Sequence, residues 1–192
     1  GGINNAITPG AHAGNQTLTV NVSENATLTN AVPIRNSEPD TTKLPILYSI
    51  TKAGLGSAVF SAENTYGGKT TVSAGTLTLA HAYAVSNSTV VMNGGSIAFS
   101  SSVAGRAFTF GGLAAAGAGA GYDIELANDA GSAVTLTVGN NASNTVYAGV
   151  LSGSGSLVKV GAGTLTLAGS NTYSGATIVN AGTLVATNLA AL

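Results

Sequence analysis

The stretch Lys159-Val160-Gly161-Ala162-Gly163-Thr164-Leu165-Thr166-Leu167-Ala168-Gly169-Ser170-Asn171-Thr172-Tyr173-Ser174-Gly175, closed by Ala181-Gly182-Thr183-Leu184, has an earlier copy in the same chain. The copy runs from Lys52 to Leu77, at an offset of 159 − 52 = 107 and without a gap, and 13 of the 26 aligned positions are identical. The shared positions include Lys52/Lys159, Gly54/Gly161, Asn64-Thr65-Tyr66/Asn171-Thr172-Tyr173 and Ala74-Gly75-Thr76-Leu77/Ala181-Gly182-Thr183-Leu184. A composition this biased gives roughly three matches by chance. The chain is therefore internally repetitive. Copies of one supersecondary unit stack to bury a continuous core. Within the unit, Thr164-Leu165-Thr166-Leu167 alternates polar and apolar residues, the pattern of a half-buried strand. The alternation recurs at Thr17–Val22, Thr76–Leu79, Ser96–Phe99 and Thr135–Val138. Gly, Asn and Ser clusters separate these runs roughly every ten residues, as in all-β folds. Leu165, Leu167, Val179 and Leu184 are expected to point inward.

Upstream of each copy the correspondence breaks once. Leu18-Thr19-Val20 resembles Leu136-Thr137-Val138 at an offset of 136 − 18 = 118, so the first copy carries 118 − 107 = 11 extra residues before Lys52. Pro33 to Pro45 is the natural place for them, with three of the four prolines and the charges Arg35, Glu38, Asp40 and Lys43. Proline cannot donate to a strand ladder and charges avoid a core. Residues 33–45 are therefore expected to form an exposed inserted loop, whose segment Asn36–Thr42 is dispensable for folding. Leu113-Ala114-Ala115-Ala116 is helix-permissive, but Gly117, Gly119 and Gly121 follow at once, and a Gly/Ala-rich connector is expected there.

The 192 residues suit a single repeat segment over 1–192, with 44% hydrophobic residues to build a core and only 7% charged. That composition argues against disorder. A net charge of −1 leaves no electrostatic footprint for nucleic acid or an anionic membrane. Cysteine is absent, which excludes disulfides and thiolate metal sites and accords with secretion. No apolar run reaches the length of a membrane-spanning helix. Gly1-Gly2-Ile3-Asn4-Asn5 lacks the regions of a signal peptide, so the sequence is expected to be an excised piece of a longer protein.

Gly153-Ser154-Gly155-Ser156-Leu157-Val158 leading into Lys159–Leu167, then Asn171-Thr172-Tyr173-Ser174-Gly175 and Ala181-Gly182-Thr183-Leu184, resembles the passenger-associated transport repeat of autotransporters. This is also called the autotransporter-associated β-strand repeat. The match is close over 134–186 and more degenerate over 46–80, where Ser57-Ala58-Val59-Phe60 replaces the Thr-Leu-Thr-Leu run and Gly67 replaces Ser174. The resemblance implies a right-handed parallel β-helix, a solenoid of stacked coils. It further implies type V secretion to the bacterial cell surface, a C-terminal outer-membrane barrel outside this sequence as partner, and a non-enzymatic structural or adhesin role. It carries over no catalytic, cofactor-binding or metal-ligating residue. From the residues alone, roughly 20–25 per coil give about eight coils and a rod near 40 Å long. Asn64 and Asn171 are expected to satisfy turn backbone groups within a coil.

Candidate chemistry is sparse. His12 and His81 lie far apart and read as surface histidines rather than a metal pair. Of the acids Glu24, Glu38, Asp40, Glu63, Asp123, Glu125 and Asp129, only Asp123 and Glu125 share a strand face. No basic residue lies near them in sequence, so a solvated face is preferred to an acid/base pair or a calcium site with Asp129. Gly117–Gly121 lacks the Lys and following helix of a phosphate loop, and Gly153-Ser154-Gly155 is a repeat turn rather than a nucleophile elbow. Tyr66 and Tyr173, at equivalent positions, read as aromatics capping coil corners in preference to sugar-stacking platforms. Triplets of the Asn-x-Ser/Thr type at Asn15, Asn21, Asn25, Asn87 and Asn141 are expected from composition alone. The partner class left open is a host-surface glycan or protein, met by the 33–45 loop or by exposed Thr, Asn and Tyr rows.

Overall fold

The structure is a computed structural model, and it describes residues 15–36, 47–119 and 121–188. The fold is all-β, a parallel β-helix. One long sheet takes a strand from every coil, in the order β1 (Gln16–Asn21), β3 (Tyr48–Ala53), β5 (Lys69–Val72), β7 (Val85–Met92), β9 (Ala107–Ala115), β11 (Thr135–Val138), β14 (Ser156–Lys159) and β16 (Thr177–Val179). The opposite wall is interrupted. β2 (Thr27–Asn30), β4 (Ser57–Phe60), β6 (Thr76–Leu79) and β8 (Ser96–Phe99) form its first part, and β12 (Thr145–Tyr147), β15 (Thr164–Leu167) and β17 (Thr183–Ala186) its last. A short pair, β10 (Ile124–Glu125) with β13 (Leu151–Ser152), lies between. Every strand pairing is parallel, and a single 3-10 turn at Ala104–Arg106 is the only helical element among the described residues.

In-register parallel pairing explains the core. Period-two alternation sends every second residue inward, and the register stacks those residues in columns along the rod. Leu18, Ile50, Thr70, Val90 and Leu113 form one, Phe108, Leu136 and Leu157 another, and Phe60, Leu79 and Phe99 a third on the opposite wall. Phe99 packs against Phe108 with ring centroids 4.7 Å apart and ring planes tilted by 49°. In the degenerate copy Ala58 and Phe60 stand where Leu165 and Leu167 stand in the other, a small-large pair for two medium side chains, and all four are buried.

Most coils advance by 20 or 21 residues, as from Ile50 to Thr70 and from Leu136 to Leu157. The first step is longer: Leu18 pairs with Ile50, 50 − 18 = 32 residues on, against 157 − 136 = 21 at the equivalent place. The difference is 32 − 21 = 11 residues, and of the loop expected at 33–45, residues 37–45 lie outside the described part of the chain. Within the described part, Asn36 is an anchor: its side-chain carbonyl accepts the N–H groups of Gly67 (3.1 Å) and Tyr48 (3.3 Å).

One expectation needs correction. Leu113, Ala114 and Ala115 are not a connector but the end of β9, paired with Val90, Val91 and Met92. A break in register between Val85 and Thr89 brings the backbones of β7 and β9 so close that a Cβ on Gly111 would meet the Asn87 carbonyl carbon at 2.5 Å. Gly111 thus admits the strand, and the glycines at 117, 119 and 121 follow only after it has ended. Val179 and Leu184 take the inward positions expected, in register with Lys159 and Leu165, but Val179 is 49% exposed where its counterpart Val72 is fully buried, and Leu184 is only half-buried where Leu77 is fully buried. Their coil is the last described, and no described coil stacks upon it. Leu165 and Leu167 are fully buried, as expected.

Candidate functional site

The most unusual side chains are two lysines. Lys52 and Lys159 sit at inward positions of β3 and β14, in columns otherwise apolar: Val20, Lys52, Val72 and Met92 in one, Phe110, Val138, Lys159 and Val179 in the other. Both are buried, with 0% and 1% exposure. An ammonium is tolerated in such a place only when its protons are all taken. Lys52 Nζ donates to the carbonyls of Ala53 (2.9 Å), Gly54 (2.8 Å) and Ala74 (3.0 Å). Lys159 Nζ repeats the arrangement on Val160 (2.5 Å), Gly161 (2.8 Å) and Ala181 (3.2 Å). Two acceptors belong to the lysine's own turn and the third to the turn of the next coil.

Glycine makes room for this geometry. Gly161 and Gly182 have φ of +65° and +71°, and a Cβ on Gly182 would lie 2.8 Å from Lys159 Nζ. Burial pushes the pKa of both amines below the usual lysine value.

Asparagines and tyrosines perform the same task at the other corners. Asn64 accepts the Ile34 N–H and donates to the Ala84 carbonyl, both at 2.8 Å, and Asn171 accepts the Leu151 N–H at 2.7 Å. These bonds reach neighbouring coils, rather than staying within one coil as expected. Tyr66 and Tyr173 are buried at the corners, so neither ring is offered to a sugar. The Tyr66 hydroxyl meets Thr70 Oγ1 at 2.6 Å, which meets Ser88 Oγ at 2.7 Å, and Ser88 donates to the Gly68 carbonyl at 2.6 Å. Tyr173 meets Thr177 in the same way, at 2.5 Å. Sequence reasoning recognised the repeated Lys but gave it no role. The signal was present in its parity: Lys52 is two residues from Ile50 and Lys159 two from Leu157, on the inward face.

The residues singled out for chemistry are not brought together. Asp123 and Glu125 are exposed on either side of buried Ile124, and Asp123 accepts the Val150 N–H at 2.7 Å. Asp129 accepts the Ser101 N–H at 2.8 Å, and hydrogen bonding from the Ser101 side chain, then from its backbone, lowers the Asp129 pKa. His81 Nδ1 accepts the Tyr83 N–H at 3.2 Å in a local turn, and His12 lies outside the described residues. Among the described residues no group of three His, Cys, Asp or Glu side chains has the spacing of a metal site. No helix among them is long and apolar enough to cross a membrane. A cavity of about 290 Å³ opens at the first coil, lined by Leu18, Val20, Leu28, Ile34, Ala58 and Phe60 among others.

The family described as Passenger-associated-transport-repeat matches residues 50–79 and 157–186. The chain carries two passenger-associated-transport repeats. Each spans two coils, beginning in the strand that bears the buried lysine and ending on the far wall of the following coil. A curated relative, "Adhesin BmaC autotransporter" from Brucella suis biovar 1 (strain 1330), is 34% identical over 143 residues, 71% of this chain. The chain spans only 4% of that relative's length. Both findings indicate a cell-surface or extracellular location. No solved structure matches.

Proposed function

We propose that this chain is a non-enzymatic stalk segment of a surface-displayed passenger, a spacer rod whose task is to fold outside the cell and hold other parts away from it. The observation that carries the reading is the use of the polar side chains inside the coil. Lys52, Lys159, Asn64, Asn171, Tyr66 and Tyr173 are all buried and engaged in hydrogen bonds that hold the rod together. Its partners in this reading are coils of the same passenger and, through them, an outer-membrane barrel of the type V route. A second reading, an adhesin module that meets a host-surface glycan or protein itself, is favoured by the name of the relative. In that case the contact falls on residues 33–45, the insertion that the repeat itself does not require.

One experiment separates the two. The chain is fused between an epitope tag and an autotransporter barrel, displayed on bacteria, and compared with a rod of unrelated β-helical coils of equal number. The stalk reading expects the tag to reach external antibody in both, with host-cell binding no greater than that of the unrelated rod. Saturable host-cell binding seen only with this chain defeats it in favour of the adhesin.

A further inference from the structure

We infer that Lys52 and Lys159 each lock two successive coils into one cooperative unit, so that the repeat, and not the coil, is the smallest piece of this rod that opens. Three observations converge. The ammonium spans two turns, with acceptors at Ala53 and Gly54 in one coil and Ala74 in the next, and Val160, Gly161 and Ala181 repeat the set. The two coils so joined are those covered by each family match, 50–79 and 157–186. At the equivalent inward positions of other coils stand Val20, Val72, Met92 and Val138, which have no such protons to share.

When the second coil lifts away, the ammonium loses its Ala74 or Ala181 acceptor, so a charge-assisted hydrogen bond is added to the apolar contacts that join these two coils. A hydrogen bond from a charged donor contributes more than a neutral one. Opening one coil therefore withdraws more stabilisation from its partner than an apolar contact alone would. Apolar columns lack this property, since each coil peeled away loses contacts in proportion to its own area.

The test is native-state hydrogen exchange on the whole chain and on Lys52→Met and Lys159→Met, which keep an unbranched side chain in the column and remove the ammonium. In the unaltered chain, amides of the joined coils should exchange at a common rate. In Lys52→Met the Ser73 and Thr76 amides, bonded to Lys52 O and Gly56 O, should exchange at least tenfold faster than the strand amides of the preceding coil. In Lys159→Met the Asn180 and Thr183 amides should do the same relative to the preceding coil. Leu165→Ala, which loosens the same core without touching the ammonium, should speed both coils of its repeat by one factor. Rates in the two Met variants that stay matched within twofold across each pair would overturn the inference. Loss of all protection in both would also overturn it, because each lysine would then serve the entire rod.

Discussion

A lysine inside a column of valines contradicts the rule that charges lie outside, and the resolution is local. Each proton of the ammonium has a carbonyl, and each carbonyl is presented by a turn that glycine permits. The neighbouring leucines obey the ordinary rule, and their energetics follow. Leu165→Ala and Leu167→Ala should each destabilise the chain by roughly 2–5 kcal/mol, while Val179→Ala should stay within about 0.5 kcal/mol because its side chain is half in water. Urea unfolding followed by circular dichroism checks both. The tyrosines give a second expectation. Burial raises the pKa of Tyr66 and Tyr147, with the charge of Asp123 adding to the effect at Tyr147. A phenol whose folded pKa lies above its unfolded value stabilises the fold fully below about pH 10 and loses that contribution as pH rises through the folded value. An ultraviolet titration should show these two tyrosines still protonated where exposed ones have ionised. Tyrosinate absorbance from all six at the ordinary midpoint would contradict their burial.

Among the elements, the strands were legible because alternation survives even where the residues change, as in Ser57-Ala58-Val59-Phe60. Leu113–Ala115 was not legible as strand, because the glycines that follow at 117, 119 and 121 suggest a connector while the pairing with β7 depends on a close backbone approach that Gly111 allows. The exposure of Val179 was not legible for a different reason: parity fixes the direction of a side chain, but only a following coil covers it. The 11 residues gained before β3 were countable from the two offsets, and the register of β1 on β3 returns the same number. The role of Asn36 was not legible, since one Asn among many gives no sign that it bonds the Tyr48 and Gly67 amides of the following coil. Removing Ser37–Thr42 and joining the ends with a short Gly linker should therefore leave the thermal midpoint within a few degrees. Extending the deletion to Asn36 should lower it, because Gly67 and Tyr48 lose an acceptor. Equal midpoints for the two deletions would show that Asn36 anchors nothing.

At the scale of the whole molecule, the backbone hydrogen bonds between coils run along the rod, as they must when parallel strands from successive coils form one sheet. A pull on the two ends of the rod therefore loads these bonds one layer at a time, as in peeling tape, and not all together as in shearing two strands past each other. Each released coil of 20 residues, the step from Ile50 to Thr70, gives up to about 70 Å of extended chain in exchange for about 5 Å of stacked rod. Single-molecule extension should show a series of small, similar rupture forces with contour gains near multiples of that length, the doubled gain falling where a lysine joins two coils. One large force peak releasing the entire chain would contradict the layered loading. A rod built this way lengthens many-fold under drag at nearly constant tension and winds back when the load falls, so in the stalk role proposed above it would absorb shock as well as set a distance.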